Sequence, residues 1–468
     1  MPELLLALDI GTTTARAMLF SPAGTVEGMA RAPLTSQAPG PGRVEQDADR
    51  VWAAARRVIA GALSAAARAP ADLAAVGVTT QRTSIVVWDR ASGRPLAPIV
   101  VWSDLRGAER SQELLQAGFF LAPQQAATKL ESVLAGAAGP GVAWGAIDSW
   151  LIWKLSGGAV HATDRSQAWP TGYLDLATMQ WNQHLIAHQG LDPGLFPSLV
   201  DTWGPIGLTD ARVFGAAVPI TADVADQQAA LIAHGETAKV TYGTSATLDV
   251  STGSELVFRS PTAPPFVVSH VDGHTRFCVE GMVLSAGSAL DWLRTTCGLG
   301  GHARFESLAA GVEDGAGAAF LPALQGLGAP YGDPGRRGAL TGLSPSVTAA
   351  HLARAGLEGV AFRVREAFDH VHALIGVAPP EVLGVDGGLT ANRTFLQIQA
   401  DLLARPVRRH AIPEATAAGT AIAAARGVGL LGPADTGAFT RYDPPIEPRL
   451  SADEAESRLA AWRALVHV

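Results

Sequence analysis

A short structural plan occurs twice in this chain, and this repetition constrains the fold more than any other feature. The segment LLLALDIGTTTARAMLF, residues 4–20, reads as an apolar strand, a polar Gly/Thr turn and a second apolar strand. The same order returns in AKVTYGTSATLDV, residues 238–250, near the middle of the chain. We therefore predict two weakly similar halves, each opening with a hairpin whose Gly/Thr tip can face its twin.

Patterns between and after the hairpins indicate a mixed α/β architecture. Helical periodicity covers residues 49–67, 103–117 and the GAIDSWLIWKLSG stretch, whereas LAAVGVTT reads as a buried strand. In the second half, helices are predicted over 351–375 and 393–404, flanking the strand EVLGVDGG. At 468 residues the chain is long enough for two domains, predicted at 1–235 and 236–468.

Charge and composition exclude several functional classes. The net charge is −8 and there is no long basic run, so neither nucleic acid nor an anionic membrane is an expected partner. The first apolar run, Leu4 to Leu8, is too short for a signal peptide or a membrane span, which predicts a cytoplasmic protein. Cys278 and Cys297 lack metal-binding spacing and are expected to be reduced core thiols.

The two Gly/Thr turns are candidate phosphate sites. In DIGTTTAR, glycine permits close approach of a ligand, threonine hydroxyls and amides can donate to phosphate oxygens, and Asp9 can hold magnesium through water. A tight hairpin turn without any ligand explains this motif alone equally well. The second turn, YGTSATL, supplies another set of donors, and the pair favours a nucleotide site.

Four further features could carry chemistry, and each has a structural alternative, which for the last of them, VDGGLTAN, is the ordinary packing of a strand-Gly-Gly-helix junction. Asp226 and Gln227 precede an Ala-rich helix, where an acid either stabilises the helix N-terminus or accepts a proton during phosphoryl transfer. Arg82 follows a buried strand and could contact substrate hydroxyls or a structural carboxylate. Trp102 could line a pocket or fill the core. VDGGLTAN ends a strand in two glycines that would let a flat ring lie against the main chain.

Taken together and in order, DIGTTTAR, GVTTQR, IVVWSD, IDSWLIWKL, ADQQAAL, YGT, GLGAPYGDP and VDGG-TAN resemble the FGGY carbohydrate kinases, and among them the glycerol kinases. The resemblance spans nearly the whole chain. It implies an α/β fold of two actin-like (ribonuclease H-like) domains with a nucleotide cleft between them. It also implies an enzyme that transfers a phosphoryl group from ATP, with Mg²⁺, to a hydroxyl of a small polyol or sugar.

The resemblance also assigns site residues by matching motifs. Asp226 matches the catalytic base and Asp9 the magnesium-associated acid. The residues that match nucleotide contacts are Thr12, Thr13, Thr14, Arg16, Thr244, Gly287, Asp291, Gly388 and Asn392. Asp291 stands where glycerol kinases usually carry Gln. The residues that match the substrate pocket are Arg82, Thr83, Trp102, Gln124, Asp226, Gln227 and Thr247.

Three of these pocket positions depart from the glycerol kinase pattern. Thr83 stands where those enzymes carry Glu, Gln124 where they carry an aromatic residue, and Thr247 where they carry Phe. Losing a buried carboxylate that accepts from hydroxyls should cost glycerol about 1–3 kcal/mol of binding. We therefore expect a different substrate, such as a longer polyol or a ketose. A ketose kinase resembling xylulokinases or ribulokinases and a non-catalytic sugar sensor remain alternatives, and a homodimer is possible.

Overall fold

Each predicted hairpin lies at the centre of a six-stranded sheet. The computed structural model describes residues 3–137 and 141–467. The chain divides into two compact units, the first made of Met1–Gly235, Phe266–Arg276 and Thr416–Phe439, the second of Glu236–Pro265, Phe277–Ala415 and Thr440–Val468. Two segments from the second half of the sequence thus belong to the first unit.

The elements up to residue 235 are fifteen strands and eight helices in the described residues. The strands are β1 (Leu4–Ile10), β2 (Thr14–Phe20), β3 (Val26–Pro33), β4 (Ser36–Gln37), β5 (Glu45–Gln46), β6 (Leu73–Thr80), β7 (Val86–Asp89), β8 (Ile99–Val100), β9 (Val142–Gly145), β10 (Ala162–Asp164), β11 (Leu174–Asp175), β12 (Gln180–Trp181), β13 (Ser198–Val200), β14 (Trp203–Leu208) and β15 (Pro219–Ala225). The helices are α1 (Ala48–Ala65), α2 (Ala108–Gln116), α3 (Leu130–Ala135), α4 (Ile147–Leu155), α5 (Arg165–Ala168), α6 (Gln183–His188), α7 (Ala211–Phe214) and α8 (Asp226–Ala233).

The remaining elements follow residue 235. The strands are β16 (Ala238–Tyr242), β17 (Ala246–Gly253), β18 (Pro265–Val271), β19 (His274–Val283), β20 (Ala319–Leu321), β21 (Ala339–Thr341), β22 (Leu383–Asp386) and β23 (Val407–Arg409). The helices are α9 (Gly287–Thr296), α10 (His302–Ala310), α11 (Ala349–Ile375), α12 (Arg393–Leu403), α13 (Ala415–Gly427) and α14 (Ala452–Val466).

The two large sheets share the arrangement of five strands, β3-β2-β1-β6-β15 in the first and β19-β17-β16-β22-β23 in the second, which confirms the repeated plan. The first has the order β14-β15-β6-β1-β2-β3, with β1 antiparallel to β2 and parallel to β6. The second has the order β18-β19-β17-β16-β22-β23, with β16 antiparallel to β17 and parallel to β22. In both sheets, the first strand of the hairpin pairs on its other side with a parallel strand. Polar residues at the carboxyl ends of the parallel strands therefore share one edge of the sheet.

The cores explain why these segments adopt these elements. In the first unit, Leu6 and Val78 of the sheet pack with Ile59 of α1 and Leu151 of α4. Each such side chain stabilises the fold by about 1.5–3 kcal/mol when fully buried. A separate core of the second unit joins β16, β17 and β19 to α11 and α12. Strands that are apolar on both faces therefore lie at the centre of each sheet.

Two details differ from the sequence analysis. Helix α2 begins at Ala108 instead of residue 103, because the Asp104 carboxylate accepts hydrogen bonds from the backbone N–H groups of Val44 and Arg106 and holds the chain in a turn. Both cysteines are free thiols as expected, but only Cys278 is buried, whereas Cys297 is exposed.

Candidate active site

The first Gly/Thr turn joins β1 to β2 and is held by three side chains. Thr12 Oγ1 donates to Gln81 Oε1 at 3.0 Å and accepts from Trp102 Nε1 at 3.0 Å, and the Thr12 carbonyl accepts from Gln46 Nε2 at 2.6 Å. Thr13 at the tip is exposed and Thr14 begins β2. Because Thr12 is anchored on both sides, the turn is preorganised, with the exposed Thr13 at its tip.

An acid and an arginine face each other at the base of this turn. Asp9 in β1 lies opposite Arg16 in β2, and Arg16 Nη1 is 3.2 Å from Asp9 Oδ2. Asp9 is only 4% exposed. A carboxylate oxygen is the kind of ligand that a magnesium ion or its bound water requires.

Arg82 and Asp226 lie at the ends of neighbouring parallel strands. Arg82 follows β6 and Asp226 follows β15, whose last paired residues are Thr80 and Ala225. Arg82 Nε is 3.7 Å from Asp226 Oδ1, and the guanidinium carbon lies 4.5 Å from the ring centroid of Phe266. Asp226 is the first residue of α8, and its Oδ1 accepts from the Gln227 backbone N–H at 2.9 Å. The geometry joins the two residues that the sequence analysis singled out separately.

Thr83 uses its hydroxyl within the protein. Its Oγ1 accepts the backbone N–H of Ala126 at 2.9 Å, in a buried hydrogen bond. The residue has φ of 56°, in the left-handed region that β-branched side chains rarely occupy, and such strain typically costs about 1–3 kcal/mol. Strain of this kind persists where surrounding contacts fix the backbone, so Thr83 ties the end of β6 firmly to the segment before α3.

Lys129 and Gln124 lie on this same segment. Lys129 is almost fully buried, and its Nζ donates to the carbonyl groups of Val101 and Trp102 at 3.4 and 3.5 Å and of Asp104 at 3.3 Å. Burial lowers the pKa of Lys129 to about 8, against an opposing attraction from Asp104. Lys129 thereby positions the Trp102 backbone. Gln124 is exposed in the preceding turn.

Sequence reasoning missed the residues that support these groups. Gln81 and Gln46 hold the Thr12 turn, and Gln81 Nε2 also donates to Gln46 Oε1 at 3.0 Å. Gln81 directly precedes Arg82, so its place beside a motif was a usable signal. Gln46 and Lys129 carry no local signal because their roles follow from the packing of distant segments.

In the second unit, the YGT turn lies against the start of α9. The Thr244 carbonyl accepts from the backbone N–H groups of Ala286 and Ser288, and Gly287 N–H donates to the Gly243 carbonyl at 3.0 Å. A Cβ on Gly287 would lie 2.5 Å from that carbonyl oxygen, so only glycine fits. The first N–H groups of α9 thus hold the turn in place and leave Gly243 and Thr244 exposed at its tip.

The other predicted residues of this unit have mixed roles. Gly387, with φ of 91°, lets the chain turn against Tyr242, and Gly388 begins a 3₁₀ turn with open space around its Cα. Asn392 caps α12, because its Oδ1 accepts from the backbone N–H of Phe395 at 2.8 Å. Thr247, only 3% exposed, lies in β17.

Asp291 is half-exposed on α9 and forms ion pairs with two basic side chains. Its Oδ1 is 3.1 Å from Arg294 Nη2 and 3.7 Å from His302 Nε2. Residues 3–137 and 141–467 contain no group of three or more His, Cys, Asp or Glu side chains arranged for a metal ion. Nor do they include a helix that combines the length and the apolar character needed to cross a membrane.

Comparisons with known proteins agree with this geometry. Residues 4–233 match the N-terminal domain of the FGGY family of carbohydrate kinases, and residues 238–428 match its C-terminal domain. The chain is 39% identical to a glycerol kinase of Thermus brockianus, over 99% of this chain and 97% of the relative. It is 37% identical to a glycerol kinase of Geobacter sp. (strain M21), over 100% and 98%.

Solved structures show the same fold. A Plasmodium falciparum glycerol kinase with ADP superposes with a TM-score of 0.88 at 23% identity, covering 98% of this chain and 97% of that one. A xylulose kinase from Rhodospirillum rubrum superposes with a TM-score of 0.83 at 27% identity, covering 98% of both chains. The fold is therefore the predicted pair of actin-like domains. The chain belongs to the FGGY family of carbohydrate kinases, which use ATP to phosphorylate an alcohol group of a polyol or sugar.

Proposed function

We propose that this kinase phosphorylates a small polyol or ketose other than glycerol, with Asp226 as the catalytic base. The observation that carries the proposal is the 3.7 Å approach of Arg82 Nε to Asp226 Oδ1 at two adjacent strand ends. An aspartate there can orient a substrate hydroxyl and accept its proton, while the arginine donates to another substrate oxygen. The hydroxyl oxygen forms a bond to the γ-phosphorus, the bond from that phosphorus to ADP breaks, and the proton passes to Asp226.

The nucleotide contacts follow from the two Gly/Thr turns. In the first unit, Thr12, Thr13, Thr14 and Arg16 would meet the phosphates. In the second, the proposed contacts are Thr244, Gly287 and Asp291 for the phosphates and Gly388 and Asn392 for the adenosine. The exposure of Thr13 and Thr244 at the turn tips supports this assignment, since hydroxyl donors held in fixed turns can stabilise phosphate charge.

Asp9 would hold magnesium through water. A buried carboxylate suits Mg²⁺, which needs few protein ligands because it keeps several waters and takes phosphate oxygens as ligands. When bound, the ion neutralises charge on the β- and γ-phosphates. Two properties stay predictions from the sequence: a homodimer as a possible oligomeric state, and the cytoplasm as the cellular location.

Thr83 supports a substrate other than glycerol. A carboxylate at this position could only accept hydrogen bonds, whereas a threonine hydroxyl that accepts the Ala126 amide still carries a hydrogen to donate. A ketose offers a carbonyl oxygen that accepts such a bond. This observation favours the second candidate function, a ketose kinase that resembles xylulokinases or ribulokinases. Trp102, Gln124, Gln227 and Thr247 are the other proposed pocket residues.

The test is an ADP-release assay with magnesium-ATP against glycerol, erythritol, xylitol, ribitol, dihydroxyacetone, erythrulose, xylulose and ribulose. We expect kcat/KM for one longer polyol or ketose to exceed that for glycerol at least tenfold. Comparable rates for glycerol would contradict the specificity argument. Absence of turnover with every compound would favour a sugar sensor.

The variant Asp226→Asn tests the base assignment. Asn keeps an oxygen for the Gln227 amide, so the local fold should persist. We expect kcat to fall by about 10²–10⁴-fold, with ATP affinity by calorimetry within threefold of the parent. Asp272→Asn is the matched control, because it changes an exposed acid of the same unit that lies outside the proposed site, and it should leave kcat nearly unchanged. Turnover retained by Asp226→Asn would reject the assignment.

A further inference from the structure

A four-residue helix, α5, contacts the ends of the two strands that carry Arg82 and Asp226. Gln167 Nε2 lies 3.1 Å from Thr80 Oγ1 and 3.4 Å from the Thr80 carbonyl oxygen, at the end of β6. The same nitrogen lies 3.3 Å from the Val224 carbonyl oxygen, near the end of β15. One buried amide therefore bridges both strands at the last residues before the active site.

The neighbouring residue holds the same strand by a second route. Ser166 Oγ accepts the backbone N–H of Ala225 at 2.8 Å and donates to Asp164 Oδ1 at 2.8 Å. Ala225 directly precedes Asp226 and pairs with Thr80 in the sheet. Ser166 thus fixes the peptide from which the proposed base projects.

Helix α5 is itself rigidly placed. Asp164 caps it through both carboxylate oxygens. Oδ1 accepts the N–H of Gln167, and Oδ2 accepts the N–H of Ser166 and the Thr202 hydroxyl, the latter at 2.8 Å. The Asp164 N–H donates to Asp223 Oδ2 at 2.9 Å, which returns the network to β15. Every one of these contacts lies in the first unit.

The Gln167 side chain is buried although its hydrogen-bonding groups are not all satisfied. The residue is completely buried, and its Oε1 has no hydrogen-bond partner among residues 3–137 and 141–467. An apolar side chain would avoid this unfavourable burial. A polar residue that breaks a packing rule beside a reactive centre is best explained by the geometry that it imposes there.

We propose that Gln167 and Ser166 are positioning residues that keep the ends of β6 and β15 in register and so set the separation of Arg82 and Asp226. This inference rests on the proposed function, because it assumes that these two groups act on the substrate. Small displacements of reacting groups reduce turnover strongly, by up to about 10²-fold for 1 Å. We call Ser166 and Gln167 together the clamp. Removing either side chain of the clamp should therefore lower kcat more than it lowers stability.

The test compares Ser166→Ala with Ser156→Ala. Both serines are buried hydroxyls that accept a backbone N–H, Ser156 from Val160 at 3.0 Å. The Ser156 hydroxyl, at the end of α4, donates to the Trp153 carbonyl and makes no hydrogen bond to β6 or β15 in the described residues. We expect similar decreases in Tm from both variants. Only Ser166→Ala should lower kcat on the best panel substrate, by about tenfold or more, with the KM for ATP within twofold. Equal kcat values for the two variants would overturn the inference.

Gln167→Met tests the second contact with nearly the same volume. We expect an unchanged or higher Tm together with a kcat at least tenfold lower. In the Asp226→Asn background the same substitution should cause a smaller loss than in the parent, since part of its effect passes through Asp226. An additive loss would show that Gln167 acts elsewhere.

Two outcomes separate the inference from the proposed function. Full turnover by Asp226→Asn would reject the function, whereas loss by Asp226→Asn with normal kcat in both clamp variants would reject only the clamp. A crystal structure of Ser166→Ala supplies a readout that needs no turnover. We expect the Arg82 Nε to Asp226 Oδ1 distance to exceed 4 Å, and an unchanged distance of 3.7 Å would also overturn the inference.

Discussion

Three fully buried carboxyl groups in the first unit predict an unusual pH dependence of stability. Asp148, Asp164 and Asp223 are each 0% exposed. Burial raises the pKa of Asp223 well above its usual range, and the charges of Asp148 and Asp164 raise it further. Burial also raises the pKa of Asp148, and it raises that of Asp164 to about 6 even though backbone N–H groups of α5 favour its charged form.

The magnitude follows from proton linkage. Each unit of pKa shift corresponds to about 1.4 kcal/mol, so raising Asp164 from 3.8 to about 6 corresponds to about 3 kcal/mol. The folded chain binds this proton more tightly than the unfolded chain. The stabilisation is therefore complete below about pH 4 and is lost as the pH rises through about 6. Asp148 and Asp223 shift in the same direction and extend the loss to higher pH.

Asp223→Asn removes one of these charges and keeps an oxygen for the Asp164 N–H. We expect the variant to be more stable than the parent at pH 8, because the pKa of Asp223 is shifted in the same direction as that of Asp164. For a domain of this size, the contribution of about 3 kcal/mol from Asp164 alone corresponds to about 5 °C or more in Tm. The gain should shrink as the pH is lowered from 8 to 4.

The assay is thermal unfolding of parent and variant at intervals between pH 4 and pH 8, followed by tryptophan fluorescence and calorimetry. Asp272→Asn, an exposed acid of the same unit, serves as the control and should follow the parent at every pH. Parallel profiles of Asp223→Asn and the parent, with a constant offset in Tm, would refute the reasoning.

Two further predictions concern the turns. Gly287→Ala should raise the KM for ATP at least tenfold, because the added Cβ would collide with the Gly243 carbonyl. The control Gly301→Ala adds a Cβ in open space and should leave the KM unchanged, and calorimetry with ADP separates an effect on binding from one on turnover. Thr83→Val should lower stability by about 1–3 kcal/mol because the Ala126 N–H loses its acceptor, and Thr83→Ser should restore it; equal denaturation midpoints for the two variants would contradict this.

The regular elements could be predicted from the sequence because their signals are local. The strand LAAVGVTT is β6 without any change of bounds, and the helix predicted over 393–404 ends one residue earlier, at Leu403. Both segments carry continuous apolar patterns that a core requires. Helix α2 was predicted to begin too early, because the turn at Asp104 depends on a hydrogen bond from Val44, a residue far away in the sequence.

The clamp on β6 and β15 could not have been predicted, for a physical reason. Arg82 and Asp226 were recognisable because each polar side chain follows a buried strand, but their proximity requires knowing that these strands are neighbours. Ser166 and Gln167 lie in a helix of four residues, too short for any periodic pattern. Their importance arises only when the fold brings Thr80 and Ala225 to the same pair of side chains. On our proposal, the separation of Arg82 and Asp226 depends on two buried polar residues whose local sequence resembles an ordinary turn, and their substitution should affect turnover before it affects folding.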